Sequence, residues 1–152
     1  MQTTIIKNGT VVTADLTYKA DVRVENGVIT EIGQGLKGGT ELDATGCYVM
    51  PGGIDPHTHM ELPFGGTFAS DDFFTGTRAA AFGGTTTIID FAVQTKGESM
   101  TAGVDAWHKK AEGKTAIDYG FHLITTEFED GDEKEMYKLM DEGITSFKLF
   151  MA

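Results

Sequence analysis

A chain of 152 residues is long enough for one domain or slightly more, and for a buried core. Its net charge of -11 excludes the basic face that nucleic-acid binding needs, and its single cysteine, Cys47, excludes an internal disulfide and fits a reducing, cytoplasmic setting. No signal peptide is read in "MQTTIIKNGT", and no apolar run is long enough for a membrane span, so no membrane partner is expected.

Residues 1 to about 50 read as short strands. "TTIIKNGTVV" alternates around Asn8-Gly9. "DVRVENGVITEIG" predicts a hairpin: Val22 and Val24 alternate with Arg23 and Glu25, Asn26-Gly27 turns, and Val28, Ile29 and Ile32 follow. "TELDATGCYVMPG" leads out through another turn. This small β unit has edges and a face that call for a partner sheet.

The pattern changes after Pro51. "YVMPGGID" predicts a short buried strand over 48–55. "SDDFFTGTRAAAFGG" predicts a helix with Ser70 as N-cap, Asp71 and Asp72 at the positive end of the dipole, and Gly83-Gly84 closing it. "TTTIIDFA" is a β-branched strand, "GESMTAGVDAWHKKAEG" a second helix and "IDYGFHLITT" a third strand. "GDEKEMYKLMDEG" is a third helix with Met136, Leu139 and Met140 on one stripe, and "ITSFKLFMA" is a fourth strand over 144–152.

Ile54, Ile88, Leu123 and Leu149 thus mark four strands roughly thirty residues apart. Apolar strands alternating with amphipathic helices imply an α/β fold with a parallel sheet. A doubly wound sheet and the first half of a (β/α)8 TIM-type barrel both fit this order. No GxGxxG pattern follows the first strand, which argues against nucleotide binding.

The most specific stretch is "GGIDPHTHMELPF", residues 52–64. His57 and His59 are two apart, so an extended backbone points both imidazoles to one side. They lie at the C-terminal end of the first strand, where parallel α/β folds place their sites. There they serve either as part of a zinc site or as two loop histidines beside a proline. Lys148 sits near the end of the fourth strand, between Phe147 and Leu149. Burial disfavours an ammonium, and a neutral lysine amine takes up carbon dioxide to become an anionic carbamate. Such a carbamate would bridge two metal ions. On its own, Lys148 reads first as a lysine reaching from a strand end to solvent.

Taken together, "GGIDPHTHMELPFGGTFASDDFFTGTRAAAFGGTTTIIDFA", "DYGFH", "GITSFKLFMA" and the N-terminal "NGTVVT…DVRVENGVITEIG" resemble the dihydropyrimidinase and D-hydantoinase family of the amidohydrolase superfamily. The HxH and lysine elements are superfamily-level; "HMELPFGGT" and "SFKLFMA" are closer to this family. The resemblance implies residues 1–50 as the N-terminal part of a β-sandwich subdomain, and 51–152 as the first four β/α units of a (β/α)8 barrel. It implies two Zn2+ per subunit, with His57 and His59 on the more buried ion and Lys148, carboxylated, bridging both. Asp55 would stand just behind the ligands. Leu62 and Phe64 would lie in a mobile loop over the substrate's exocyclic substituent, with Phe150 near the same pocket.

The implied activity is hydrolytic ring opening of cyclic amides, dihydropyrimidines such as dihydrouracil and 5-substituted hydantoins, to N-carbamoyl amino acids. The implied assembly is a homotetramer. The family's two further histidines, its proton-shuttling aspartate and its oxyanion-stabilising tyrosine would lie beyond residue 152. A (β/α)8 barrel needs about 250 residues, so these 152 residues are expected to be a piece of a longer enzyme, inactive alone. Allantoinase, dihydroorotase and a non-catalytic scaffold are the alternatives. A dihydroorotase would usually carry an arginine two residues after the HxH, where this chain has Glu61.

Four other residues attract attention. His122 on the third strand reads as a packed or supporting histidine. His108, beside Lys109-Lys110, marks a solvated helix face. Asp90 ends the second strand and is expected to make structural hydrogen bonds. Cys47 reads as an inert small hydrophobe. The acidic run "EFEDGDEKE" suits a loop and a helix start.

Overall fold

The computed structural model describes residues 2–151. Ala152, the last residue of the predicted fourth strand, and Met1, the first of the N-terminal unit, lie outside the described residues. The chain divides into two compact units, one up to Pro51 and one from Gly52.

The first unit is a five-stranded sheet built from β1 (Thr3–Val12), β2 (Thr17–Glu25), β3 (Val28–Gly33), β4 (Thr40–Asp43) and β5 (Tyr48–Val49). The order is β3-β2-β1-β4, and β5 also pairs with β1. The predicted hairpin forms: Glu25 pairs with Val28 across Asn26 and Gly27, whose φ values of +51° and +84° fit the two-residue turn this dipeptide favours. Asn8-Gly9, by contrast, does not turn the chain. β1 runs straight through it with a register shift between Ile6 and Gly9, and Asn8 takes φ +62°. The Asn8 amide donates to Asp21 instead of to the ladder, which is how a bulge redirects a backbone group.

Asp21 is the polar centre of this unit. It is buried, yet accepts from Lys7 Nζ at 2.7 Å, Asn8 N at 2.9 Å and Leu36 N at 3.1 Å. The Lys7 ammonium, seconded by the Asn8 amide, lowers the Asp21 carboxyl to about 2. Its stabilisation is therefore complete above the ordinary value of 3.8 and is lost as pH falls through about 2. Asp21→Asn is expected to flatten the stability–pH curve over that interval, measured by denaturant unfolding of both proteins. An unchanged slope would remove Asp21 from the acid response. Cys47, expected to pack as a small hydrophobe, is exposed instead. It lies in the turn before β5, where its carbonyl accepts from Thr10 N and its side chain is left outside.

The second unit contains β6 (Gly53–Thr58), a small hairpin of β7 (Pro63–Phe64) and β8 (Thr67–Phe68), α1 (Phe73–Phe82), β9 (Thr85–Val93), α2 (Met100–Ala111), β10 (Asp118–Ile124), α3 (Asp132–Asp141) and β11 (Phe147–Lys148). Four strands form a parallel sheet in the order β11-β10-β9-β6. The predicted strand over 48–55 is corrected. It is two strands in two sheets, because Pro51 has no N–H to give a ladder and separates β5 from β6. Nor is it buried here: among the described residues β6 pairs with β9, and Ile54 is 65% exposed.

Helix ends differ in detail. Asp72, not Ser70, caps α1: its carboxylate accepts from Thr75 N at 2.7 Å while Thr75 Oγ1 accepts from Asp72 N at 3.1 Å, a reciprocal box that Ser70 is too far upstream to make. Ser99 caps α2, and Glu135 from α3 accepts the free Met100 and Thr101 amides at 3.0 and 2.9 Å. The acidic run does open α3, with Asp132, Glu133 and Glu135 in its first turn. On α3, Leu139 is fully buried and Met136 packs on the core, but Met140 is 44% exposed and lies off the buried stripe. Among the described residues β11 is two residues long and pairs with β10, and Leu149 falls outside it, 68% exposed. No helix among the described residues is long and apolar enough to cross a membrane.

Pairing registers sort the sheet into two faces. Asp90 stands opposite Phe121 and Ala92 opposite Leu123. This face packs against Phe73, Met100, Val104, Trp107 and Leu139 to form the core. The opposite face carries Phe91 beside His122, and Val93, Ile124 and Lys148 in one row. Strand alternation thus puts the main core on the helix side and brings His122 and Lys148 together with Phe91, Val93 and Ile124 on the other.

Candidate functional site

The segment Asp55–Met60 ends β6, and Asp90 holds it. Asp90 is fully buried at the centre of β9. One of its carboxylate oxygens accepts from Met60 N at 2.7 Å and Thr58 Oγ1 at 2.9 Å. The other accepts from Phe91 N at 2.8 Å and Trp107 Nε1 at 3.2 Å. Burial raises the Asp90 carboxyl above its ordinary value, and these four donors oppose the rise. Thr58 and Met60 flank His59, so the structural hydrogen bond expected of Asp90 is a clamp on the histidine segment.

His57 and His59 converge as the spacing predicts, although the β6 register shifts between Asp55 and Thr58. Their ring centres are 5.1 Å apart and nearly perpendicular. Both pack on Phe91, at 4.7 and 5.1 Å. His57 is exposed and His59 half-buried. Burial, the positive charge of Lys148 and proximity to His57 lower the His59 pKa, against the raising effect of Asp90. The shift favours the neutral imidazole, the state a metal ligand needs. His59 Nδ1 is buried and without a hydrogen-bond partner.

Lys148 ends β11 and is half-buried. Its carbonyl accepts from Thr125 N at 3.0 Å, which fixes the backbone. Its Nζ lies 4.5 Å from the Phe91 ring centre and 5.1 Å from that of Phe150. Two edge strands of the sheet, β6 and β11, therefore deliver the histidine pair and the lysine to one aromatic ring. His122 joins the same ring at 4.7 Å. Its Nε2 donates to Pro56 O at 2.8 Å, and its Nδ1 accepts from the Ser146 hydroxyl. Both nitrogens are engaged, which makes it the supporting histidine expected. Phe91, His122, Ser146, Phe147, Lys148 and Leu149 line a cleft of about 360 Å3.

The other candidates lie as follows. Asp55 is exposed and accepts from His57 N at 3.1 Å. Leu62 is half-buried and packs against the helix-side core. Phe64 is 81% exposed on the β7–β8 hairpin, and Phe150 is exposed beside Lys148. Glu61 turns away from the cleft: it takes φ +51°, its carboxylate meets Lys114 at 3.4 Å and its carbonyl accepts from Lys110 at 3.2 Å. His108 is exposed as expected. Lys110 is not part of a solvated face. It sits 3.6 Å over the Trp107 ring, half-buried, and burial lowers its pKa despite Glu61.

Among the described residues no group of three His, Cys, Asp or Glu is placed to hold a metal ion. The donor set that does assemble is two imidazoles, one with an orphaned buried nitrogen, and one lysine amine. That set suits a metal pair in part, with further ligands required from elsewhere.

Sequence reasoning missed Phe91, read there as one more apolar residue of "TTTIIDFA". Period-two alternation held the signal. If Ile88 and Ala92 face the helices, Phe91 faces the histidines.

A parallel α/β sheet with polar groups gathered at the C-terminal ends of its strands defines the class: an α/β protein with an enzyme-like site. The chain belongs to the amidohydrolase family, whose model matches residues 48–152. It is 57% identical to a D-hydantoinase of Geobacillus stearothermophilus over 153 residues, covering 99% of this chain and 32% of the relative. A dihydropyrimidinase of Dictyostelium discoideum is 48% identical, with 99% and 31% covered. The crystal structure of dihydropyrimidinase from Brevibacillus agri superposes with a TM-score of 0.96 at 52% identity, covering 99% of this chain and 33% of that one. The chain thus spans about a third of the length of the relatives it matches.

Proposed function

We propose that this chain is the N-terminal part of a zinc-dependent cyclic amidase that opens dihydropyrimidine and 5-substituted hydantoin rings. One observation carries the reading: His57, His59 and Lys148, from opposite edges of the sheet, meet around Phe91. The names of the relatives, D-hydantoinase and dihydropyrimidinase, support the choice of cyclic amides as substrate class. On this reading the four-stranded sheet is the first half of a (β/α)8 barrel, and residues 1–50 contribute to a β-sandwich subdomain. The complete protein is a homotetramer of the cytoplasm.

In the reaction, water adds across a ring amide. The C–N bond breaks, the carbonyl carbon gains the hydroxyl, the ring nitrogen gains a proton, and an N-carbamoyl amino acid results. His57 and His59 would hold one Zn2+. Lys148 would take up carbon dioxide with loss of a proton and, as the carbamate, would offer oxygen ligands to the metal pair. When bound, the pair supplies carbonyl polarisation and a nucleophile at neutral pH. Phe91 gives the site an apolar floor, where electrostatic interactions are stronger than in water. Asp90 keeps the histidine segment in place. Leu62, Phe64 and Phe150 remain the candidates for contact with the substrate's substituent.

A native mass spectrum of the complete protein, followed by a dihydrouracil ring-opening assay, tests this. The expected result is a tetramer carrying two zinc-sized adducts per subunit and active on dihydrouracil. A metal-free protein inert toward dihydrouracil and hydantoins would overturn the reading.

A further inference from the structure

Around the cleft, His122 contacts residues in or beside each of the other three strands of the parallel sheet. It belongs to β10, stacks on Phe91 of β9, donates to Pro56 of β6 and accepts from Ser146, just before β11. β6 and β10 are not neighbours in the sheet. The bond from Nε2 to the Pro56 carbonyl at 2.8 Å therefore spans across Phe91, on the face that carries the site. Pro56 directly precedes His57, and Ser146 stands two residues before Lys148.

We infer that His122 is a positioning residue: it ties the backbone before His57 to the strand start before Lys148 and so sets how far apart these groups stand. This rests on the proposed zinc-binding role of His57, His59 and Lys148. The chemistry of the bonds defines the ring's state. A carbonyl accepts only, so Nε2 carries a proton; the Nδ1 lone pair then accepts a hydrogen bond from the Ser146 hydroxyl. Neither nitrogen is free to bind an ion. The imidazole is thus a side-chain restraint between the Pro56 and Ser146 segments, in addition to the backbone ladder. Groups that orient metal ligands in this way change metal affinity or activity by about 10–100-fold when removed.

The test uses the complete protein, with Zn2+ affinity measured by competition against a chelator and ring opening measured as separate kcat and KM. His122→Ala is expected to weaken Zn2+ retention about 10–100-fold and to lower kcat with little change in KM. His122→Gln places an amide N–H near the position of Nε2 and is expected to recover much of the loss. Wild type that takes up Zn2+, with His122→Ala equal to it in affinity and kcat, would overturn the positioning role alone. A His122→Ala protein that melts earlier while keeping wild-type Zn2+ affinity would also overturn it, since the residue would then be structural only. Wild type that takes up no Zn2+ would overturn the proposed function, and the positioning role with it.

Discussion

Lys148→Ala in the complete protein is expected to lower dihydrouracil ring opening about a thousandfold or more, on the order of 4 kcal/mol of transition-state stabilisation. The argument starts from what surrounds the amine. Lys148 is half-buried and makes no ion pair among the described residues; its Nζ rests near two aromatic rings. An ammonium left there has weak cation–π contacts as its compensation. A carbamate on that nitrogen changes the sign of the charge and adds two oxygen donors, next to an imidazole whose nitrogen has no partner. The truncation removes that anion while the backbone bond from Thr125 N to the carbonyl of residue 148 is kept. Metal content should fall with activity, and the wild-type subunit should weigh more than its sequence by one carbon dioxide. Full metal content and activity in the variant would remove the carbamate.

Lys148→Arg separates charge from chemistry. Arginine keeps a cation over Phe91 but its guanidinium stays protonated and forms no carbamate. It should be as inactive as alanine. An active arginine variant would mean that the cation itself serves the site.

How much of this was legible depended on what each residue's neighbours decide. The His57–His59 spacing and the Lys148 position could be read because short-range periodicity and a strand-end location are properties of the chain itself. The hairpin at Asn26-Gly27 was legible for the same reason: the dipeptide's preference for positive φ is local. The bulge at Asn8-Gly9 carries the same dipeptide and was not legible, because Asp21, thirteen residues on, captures the Asn8 amide. The split at Pro51 could have been seen from proline's missing donor, but which sheet each half joins is a long-range choice. The length of β11 is set by pairing with another strand, which is again a long-range choice. Phe91 and His122 were undervalued because their roles arise only when strands from four places in the chain share one face.

Asp90 makes the second large prediction. Asp90→Ala is expected to cost about 3 kcal/mol or more of stability, since it strands Met60 N–H, Thr58 O–H and Trp107 N–H in a buried site, at roughly 1–3 kcal/mol for each unsatisfied group. Asp90→Asn keeps the volume but turns an NH2 toward donors, so it should fall between wild type and alanine. Trp107 is the chain's single tryptophan and donates directly to Asp90, so its emission reports the site without a label. The pH response has a definite sign. Burial raises the Asp90 pKa above its unfolded value, so this group's contribution is fullest below the ordinary 3.8 and declines as pH rises through the folded pKa. That is opposite to Asp21. Denaturant unfolding followed by Trp107 should show Asp90→Asn losing this decline. Thr58 and Met60 straddle His59, so the alanine variant should also hold Zn2+ less tightly. An Asp90→Ala protein with wild-type stability and Zn2+ affinity would mean that water replaces the carboxylate and that the clamp is not what holds the histidines.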